Sequence, residues 1–274
     1  MAKKSSSEFE SFRSVDQASQ PEKFVEYLDL VTGIEAIQAY KTRSYDLLHL
    51  RPGHHVLDVG CGTGDDVRAM AGKVGPSGRA VGVDSSETMI AEAKKRARNH
   101  GSNIEFYTGN ALSLSFNDNT FDASRSERTF QHLTEPMKAL HEMVRVTKPS
   151  GRVGVLDPDW ETVIVDSSNN HLTRRILTSF KDGHANPTSG RRLYSQFHTA
   201  KLQNLEVLPI TIPILSFKLA ESVLGIRNAV DKAIEKNSIT MEEGDKWLRE
   251  LEERERNGQF FSSMTGFGVF GTKI

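Results

Sequence analysis

The segment His54–Val67, "HHVLDVGCGTGDDV", constrains this chain more than any other. It joins an alternating apolar run to a polar stretch of helical spacing through three glycines, Gly60, Gly62 and Gly64. A strand that turns through glycines into a helix brings backbone N–H groups to one point with no Cβ between them and a ligand. The same strand-then-helix pattern continues downstream. "RAVGVD" reads as a strand and 86–100 as a helix, "NIEFYTGN" and "FDASRS" as strands, 135–147 as a helix and "GRVGVLDP" as a strand. The breakers "GPSGR" and "KPSGR" precede two of these strands. Strands alternating with helices pair in parallel and are covered on both faces, so the expected fold is α/β and doubly wound.

Two outer zones frame this pattern. Residues 21–50 carry apolar positions at helical spacing broken at Gly33, which predicts two short helices. After residue 159 the pattern predicts a helix over 167–181, a second after "NPTSGRR" and a strand in "LEVLPITIPILSF". A helical stretch over about 218–256 follows, ending in alternating charge, and the closing "FFSSMTGFGVFGTKI" reads as an edge strand. The expected organisation is an N-terminal helical cap, 1–50, and one domain, 51–274, with a helical insertion at about 218–257. Cap and insertion are placed to form a lid.

The glycine spacing and its neighbours narrow the ligand. A dinucleotide fingerprint is G-x-G-x-x-G with the pyrophosphate on the helix N-terminus. Here it is G-x-G-x-G, followed by Asp65 and Asp66. Two carboxylates there suit the helix dipole and repel a pyrophosphate, so a nucleoside without phosphates is expected. Asp84, twenty residues after Gly64, ends the second strand where an acid can bond both ribose hydroxyls. The third strand ends at Asn110 and Ala111, placed to meet an adenine edge, and the fourth runs into "SRSERTFQHL". Net charge is −1, which gives no basic field for nucleic acid. One cysteine, Cys61, leaves no internal disulfide and fits a reducing cytoplasm; inside the glycine loop it reads as a small spacer. No apolar run reaches the ~20 residues of a membrane span, and "MAKKSSSEFE" reads as a polar, frayed start rather than a signal peptide.

With these motifs in place the chain resembles the class I S-adenosylmethionine (SAM)-dependent methyltransferases, in the branch of the ubiquinone and menaquinone C-methyltransferases. "VLDVGCGTGDD", "GVDSSETMIAEAKKRA", "EFYTGNALSLSFNDNTFD" and "EMVRVTKPSGRVGVLDP" carry the likeness, which covers about 55–158. The resemblance implies a Rossmann-like seven-stranded sheet and SAM as cofactor. It implies that Asp58 and the glycines face the methionine moiety, Asp84 holds the ribose, Met89 packs on adenine and Asn110 with Ala111 meets its edge. Ser85, Gly109 and Ser126 belong to the same expected set, and Arg43 is placed to reach the methionine carboxylate. One departure is visible: the family usually has Asp where Asn110 stands, though an amide carbonyl still accepts from the adenine amine.

On the acceptor side, His132 follows the fourth strand and could take a proton from an oxygen or carbon acid. Glu127 and Arg128 flank the same entrance. Asp157 and Asp159 after the fifth strand could bind a metal, but no third clustered ligand accompanies them, so no metal is expected. Phe12, Tyr27, Trp160, Phe180 and Phe217 are the expected apolar walls, with Asp157 beside them. Arg191 opens a helix at the unfavourable end of its dipole, which points to a polar or anionic acceptor group. The expected reaction is methyl transfer to a small, largely apolar acceptor (a natural product, terpenoid or quinone-like ring) at carbon or oxygen. Rival readings are a cyclase-like protein that binds SAM without turnover, and an NAD-dependent oxidoreductase, which the glycine spacing opposes. The N-terminal helices could also join copies into a homo-oligomer.

Overall fold

The computed structural model describes residues 12–101, 103–181 and 185–274; the polar start expected to fray lies outside them. Seven strands form one sheet in the order β3-β2-β1-β4-β5-β7-β6. In chain order these are β1 His55–Val59, β2 Arg79–Asp84, β3 Ile104–Thr108, β4 Phe121–Glu127, β5 Thr147–Val165, β6 Gln203–Ile214 and β7 Ser262–Thr272. The first five pair in parallel. The order reverses direction between β1 and β4, so a crevice opens at their carboxyl ends, where open sheets of this kind bind ligands.

Helices α1 Glu22–Thr32, α2 Glu35–Leu47, α3 Asp65–Val74 and α4 Glu87–Ala97 precede α5 Pro136–Val146 and α6 Asn170–Lys181. Then come α7 Ser189–Thr199, α8 Phe217–Leu224, α9 Ile226–Glu235 and α10 Met241–Arg256. Alternate residues of the inner strands feed two cores. Val56, Ala80 and Ala123 join the larger core with α2, α3 and the α8–α10 insertion. Leu57, Val81 and Val153 join α5 and α7 on the other face. The single helical stretch expected over 218–256 is three helices, turned at Gly225 in the left-handed region (φ 62).

Two expectations about the sheet change. The last strand is not an edge: β7 lies between β5 and β6 and runs antiparallel to both. Its residues are buried almost throughout, while β6 alternates buried and exposed positions. Pro209 and Pro213 in β6 explain the exchange, because a proline donates no ladder hydrogen bond and is tolerated at an edge. β5 also runs past the expected end at Pro158, since β7 pairs along it as far as Val165.

The helical break near Gly33 is present, but Gly33 itself keeps helical dihedrals (φ −71); Ile34 turns extended and starts α2. In α2 one stripe is buried: Ile37, Lys41, Ser44, Tyr45 and then Leu48. In α1, Phe24 packs with Val15 and Met89 within this chain, while Leu30 on the same helix stays exposed.

Candidate active site

At the carboxyl ends of β1, β2, β4 and β5 lies a cavity of about 580 Å³, roofed by Phe12–Lys41 and by the α8–α9 corner. That size suits a small-molecule site. One end is built by the glycine loop. Gly60 and Gly62 have φ of 77° and 49°, and the Gly62 N–H donates to Asp84 Oδ2 at 2.9 Å. The Ser86 N–H donates to Asp84 Oδ1 at 2.9 Å, so this carboxylate braces the loop and keeps a lone pair on each oxygen. Burial pushes the Asp84 pKa up, and the two backbone N–H groups hold it back.

Ser86 caps α4 and itself donates to Asp16, which also accepts from the N–H groups of Glu87 and Thr88. Desolvation of Asp16 is outweighed by these bonds, and its pKa falls to about 2. The N-terminal segment is therefore stitched to the start of α4, where Met89 lies buried in the cavity wall. Cys61, Ser85, Gly109, Asn110 and Ala111 line the same end. Burial raises the Cys61 thiol well above its usual range, which disfavours a thiolate nucleophile. Asn110 Oδ1 accepts from the Leu112 N–H at 2.9 Å, so one of its two lone pairs is already engaged.

Five expected site residues lie elsewhere, each for a physical reason. Gly64 is the left-handed cap of α3 (φ 76), packed so that a Cβ would strike Phe106. Ser126 is wholly buried and donates to the Val59 carbonyl at 2.8 Å, tying β4 to β1. Arg43 is exposed on α2, opposite the buried stripe. Phe217 packs edge to face on Phe260. Arg191 is held by Asp159 and Glu161, which also removes Asp159 as a free ligand. Among the described residues no three His, Cys, Asp or Glu side chains cluster to hold a metal.

Asp58 departs differently. It lies behind the loop, 3.4 Å from Arg125, inside a buried network that the sequence reading missed. Arg125, fully buried on β4, lies 3.1 Å from Asp66 and 2.6 Å from Glu127. Lys41 reaches Asp66 at 2.9 Å and Glu127 at 3.3 Å, while Tyr45 donates to Asp66 and Tyr40 to Glu127. With Arg128 on Glu127 at 3.2 Å, three cations face three carboxylates. Burial opposes the charge on Asp66, but Arg125 and Lys41 outweigh it and hold its pKa well below the usual range. Asp58 has weaker help: burial dominates and lifts its pKa to about 7. Tyr40, Lys41, Asp66, Glu127 and Arg128 line the cavity, so one edge of the network faces a ligand. Arg128 adopts left-handed backbone (φ 53), a strained geometry for a bulky residue and one that clusters at functional sites.

The other end of the cavity is apolar. Phe12, Tyr27, Trp160, Phe180, Ile210 and Met264 all contribute to it. The Trp160 indole donates to Gln131 at 2.8 Å and its ring meets Phe180 edge to face. His132, in the short turn after β4, stands in the wall with its ring 5.5 Å from that of Phe12. Asp157 lines the cavity from β5, with Ser189 donating to its Oδ2. Burial lifts the Asp157 pKa to about 7, against the pull of Ser189 and the Gln131 N–H.

Comparison with known proteins agrees with this geometry. A methyltransferase-domain family matches residues 50–210, more than half of the chain. The chain belongs to the S-adenosylmethionine-dependent methyltransferases. It is 32% identical over 246 residues to an uncharacterized 37.1 kDa protein of transposon TN4556 from Streptomyces fradiae, covering 89% of this chain and 70% of that one. A demethylmenaquinone methyltransferase of Bacillus cytotoxicus is 35% identical over 147 residues, 52% of this chain and 62% of its own length. In fold the methyltransferase is similar to a phosphoethanolamine N-methyltransferase of Haemonchus contortus solved with SAM, with a TM-score of 0.62 at 16% identity, covering 96% of this chain and 60% of that one.

The cofactor is SAM, and the residues present fit it. Spare lone pairs on Asp84 suit ribose hydroxyls, and a loop of left-handed glycines admits close approach. The cavity-facing edge of the buried network, with Lys41 and Arg128 beside Asp66 and Glu127, offers both signs of charge to an amino-acid end that carries an ammonium and a carboxylate. Lys41, not Arg43, is the cation of α2 inside the methyltransferase's cavity. A lysine on the stripe Ile37–Lys41–Tyr45–Leu48 was the available signal, as was an arginine at an inner-strand position in "DASRSE".

Proposed function

We propose that this methyltransferase moves the methyl group of SAM to a small, largely apolar organic acceptor, a natural product, terpenoid or quinone-like ring, at carbon or oxygen. The observation that carries the reading is the apolar part of the cavity lining, where Trp160, Phe180, Ile210 and Met264 share one cavity with the glycine loop. A demethylmenaquinone methyltransferase among the relatives supports a ring-shaped acceptor. In the roles proposed here, Asp84 bonds the ribose, Met89 packs on the adenine, and Lys41 with Tyr40 meets the methionine carboxylate.

Bound SAM supplies an electrophilic methyl on sulfur. The chain aligns the acceptor in line with it and excludes water, and alignment of this kind lowers a barrier by roughly 7–11 kcal/mol. The α1–α2 cap and the α8–α10 insertion close the two sides and act as the proposed lid. His132 and Asp157 are the groups in the apolar wall that can take a proton. Mass spectrometry of small molecules co-purified with the protein tests the reading, together with transfer of label from methyl-labelled SAM to extracted acceptors. S-adenosylhomocysteine (SAH) and a methylated apolar product are expected. Tight SAM binding with no label transfer to any extract would sink it.

A further inference from the structure

Building on that reading, we propose that Asp157 is the group that receives the acceptor's proton, and that the acceptor is an apolar molecule carrying a phenolic or enolic hydroxyl. Asp157 stands in the cavity wall on β5, one residue beyond the end of its pairing with β4, and Leu156, Trp160 and Met264 line the same cavity. It is 3% exposed. Its Oδ2 takes the Ser189 hydroxyl and the Gln131 N–H draws on the carboxylate, while Oδ1 makes no hydrogen bond of normal geometry among the described residues. A buried carboxyl oxygen left without a partner is costly and calls for an explanation.

Among the described residues no cation forms an ion pair with it. Arg191 on α7 is committed to Asp159 and Glu161. From β4, Glu127 raises its pKa and Arg128 lowers it, and both are paired within the buried network. His132 lies in the turn beyond β4, and β7 pairs Phe267 and Gly266 alongside it, neither of them titratable. Two glycines fit Asp157 closely: a Cβ at Gly190 or Gly266 would come within 2.6 or 2.9 Å of its carbonyl oxygen. The group is thus held firmly in place, with one oxygen uncommitted, in an apolar chamber. Burial sets its titration near 7, where a carboxylate is basic enough to take a hydroxyl proton and acidic enough to release it to water.

In the step proposed, the acceptor's O–H bond breaks and the proton passes to Asp157. The oxygen's electron pair forms the new bond to the methyl carbon, and the carbon–sulfur pair stays on sulfur. Where the conjugated carbon attacks instead, that carbon then loses its own proton and the hydroxyl is re-formed. One proton is released in either case.

The test is binding, not turnover. 2-Naphthol and naphthalene are titrated into the SAH-loaded protein at pH 5.5 and pH 8, for wild type, Asp157→Ala and Asp157→Asn. A hydrogen bond to an ionised carboxylate should favour 2-naphthol by at least about tenfold at pH 8, and the preference should shrink several-fold at pH 5.5. In both variants the pH dependence should vanish. SAH binding, measured first, shows that each variant is folded; the near-isosteric Asn also keeps an acceptor for Ser189. A wild-type preference that is absent or the same at both pH values overturns the proposal, as does one whose pH dependence survives in the variants. Loss of the preference in His132→Ala alone would move the role to His132 and overturn it too. Failure of the wild type to bind SAH would instead count against the methyltransferase reading, a separate result.

Discussion

Replacing Lys41 by Met tests whether the buried network supports the site or merely accompanies it. Lys41 Nζ lies 2.9 Å from Asp66 and 3.3 Å from Glu127, and all three side chains are at most 11% exposed. A unit pair at about 3.3 Å is worth about 5 kcal/mol at an effective dielectric of about 20. Breaking one partner of a buried pair typically costs about 3–5 kcal/mol, because the other charge is left buried. Met preserves the stem's packing, so the loss is electrostatic. Among the described residues the variant leaves Asp58, Asp66 and Glu127 facing Arg125 and Arg128.

The pH dependence gives this prediction its sharper edge. Asp58 already titrates near 7 in the folded protein, above its unfolded value near 4. A raised pKa stabilises the fold below the unfolded value, and that stability is lost as pH rises through the folded value. Removing a cation raises Asp58 further, so the variant takes up a proton near neutrality and recovers part of the loss in acid. Urea unfolding followed by circular dichroism should show a deficit of about 3–5 kcal/mol at pH 8.5. The deficit should be clearly smaller at pH 6. A deficit under about 1 kcal/mol at pH 8.5, or one that is equal at both pH values, would refute the reasoning.

Three further outcomes follow from the site. Asp84→Asn keeps one acceptor but turns an amide N–H₂ toward a backbone N–H, so SAH affinity should fall at least about tenfold and stability by about 1–3 kcal/mol; wild-type affinity by calorimetry would contradict the brace between Gly62 and Ser86. Removal of residues 1–32 strips Val15 and Phe24 from Met89 and Tyr27 from the cavity, so melting temperature and SAH affinity should both drop; unchanged SAH affinity would show that this segment does not shape the cofactor end. Turnover should survive chelation, because Arg191 engages Asp159; loss with EDTA that magnesium restores would overturn this.

Local patterns were enough to place much of this protein. Gly60 and Gly62, Asp84 and Asn110 follow from strand-end chemistry within a few residues of each turn, Met89 was indicated by the family resemblance, and the structure puts all of them on the cavity. His132 and Asp157 were legible for the same reason, since strand ends in an open sheet share one crevice, and Trp160 and Phe180 as aromatics in the region expected to cover it. Gly64 and Ser126 were misread because a glycine that frees a helix start and a serine that ties two strands look, in sequence, like ligand contacts. Lys41, Arg125 and Asp66 could be assembled only by the tertiary structure. They come from three elements far apart in the chain, and burial is what turns three ordinary surface-type charges into one coupled network. The exchange of β7 and β6 has the same origin. Alternation along a strand records how many of its faces are buried, while its place in the sheet depends on which neighbours satisfy its backbone, and Pro209 and Pro213 leave β6 fit for the edge.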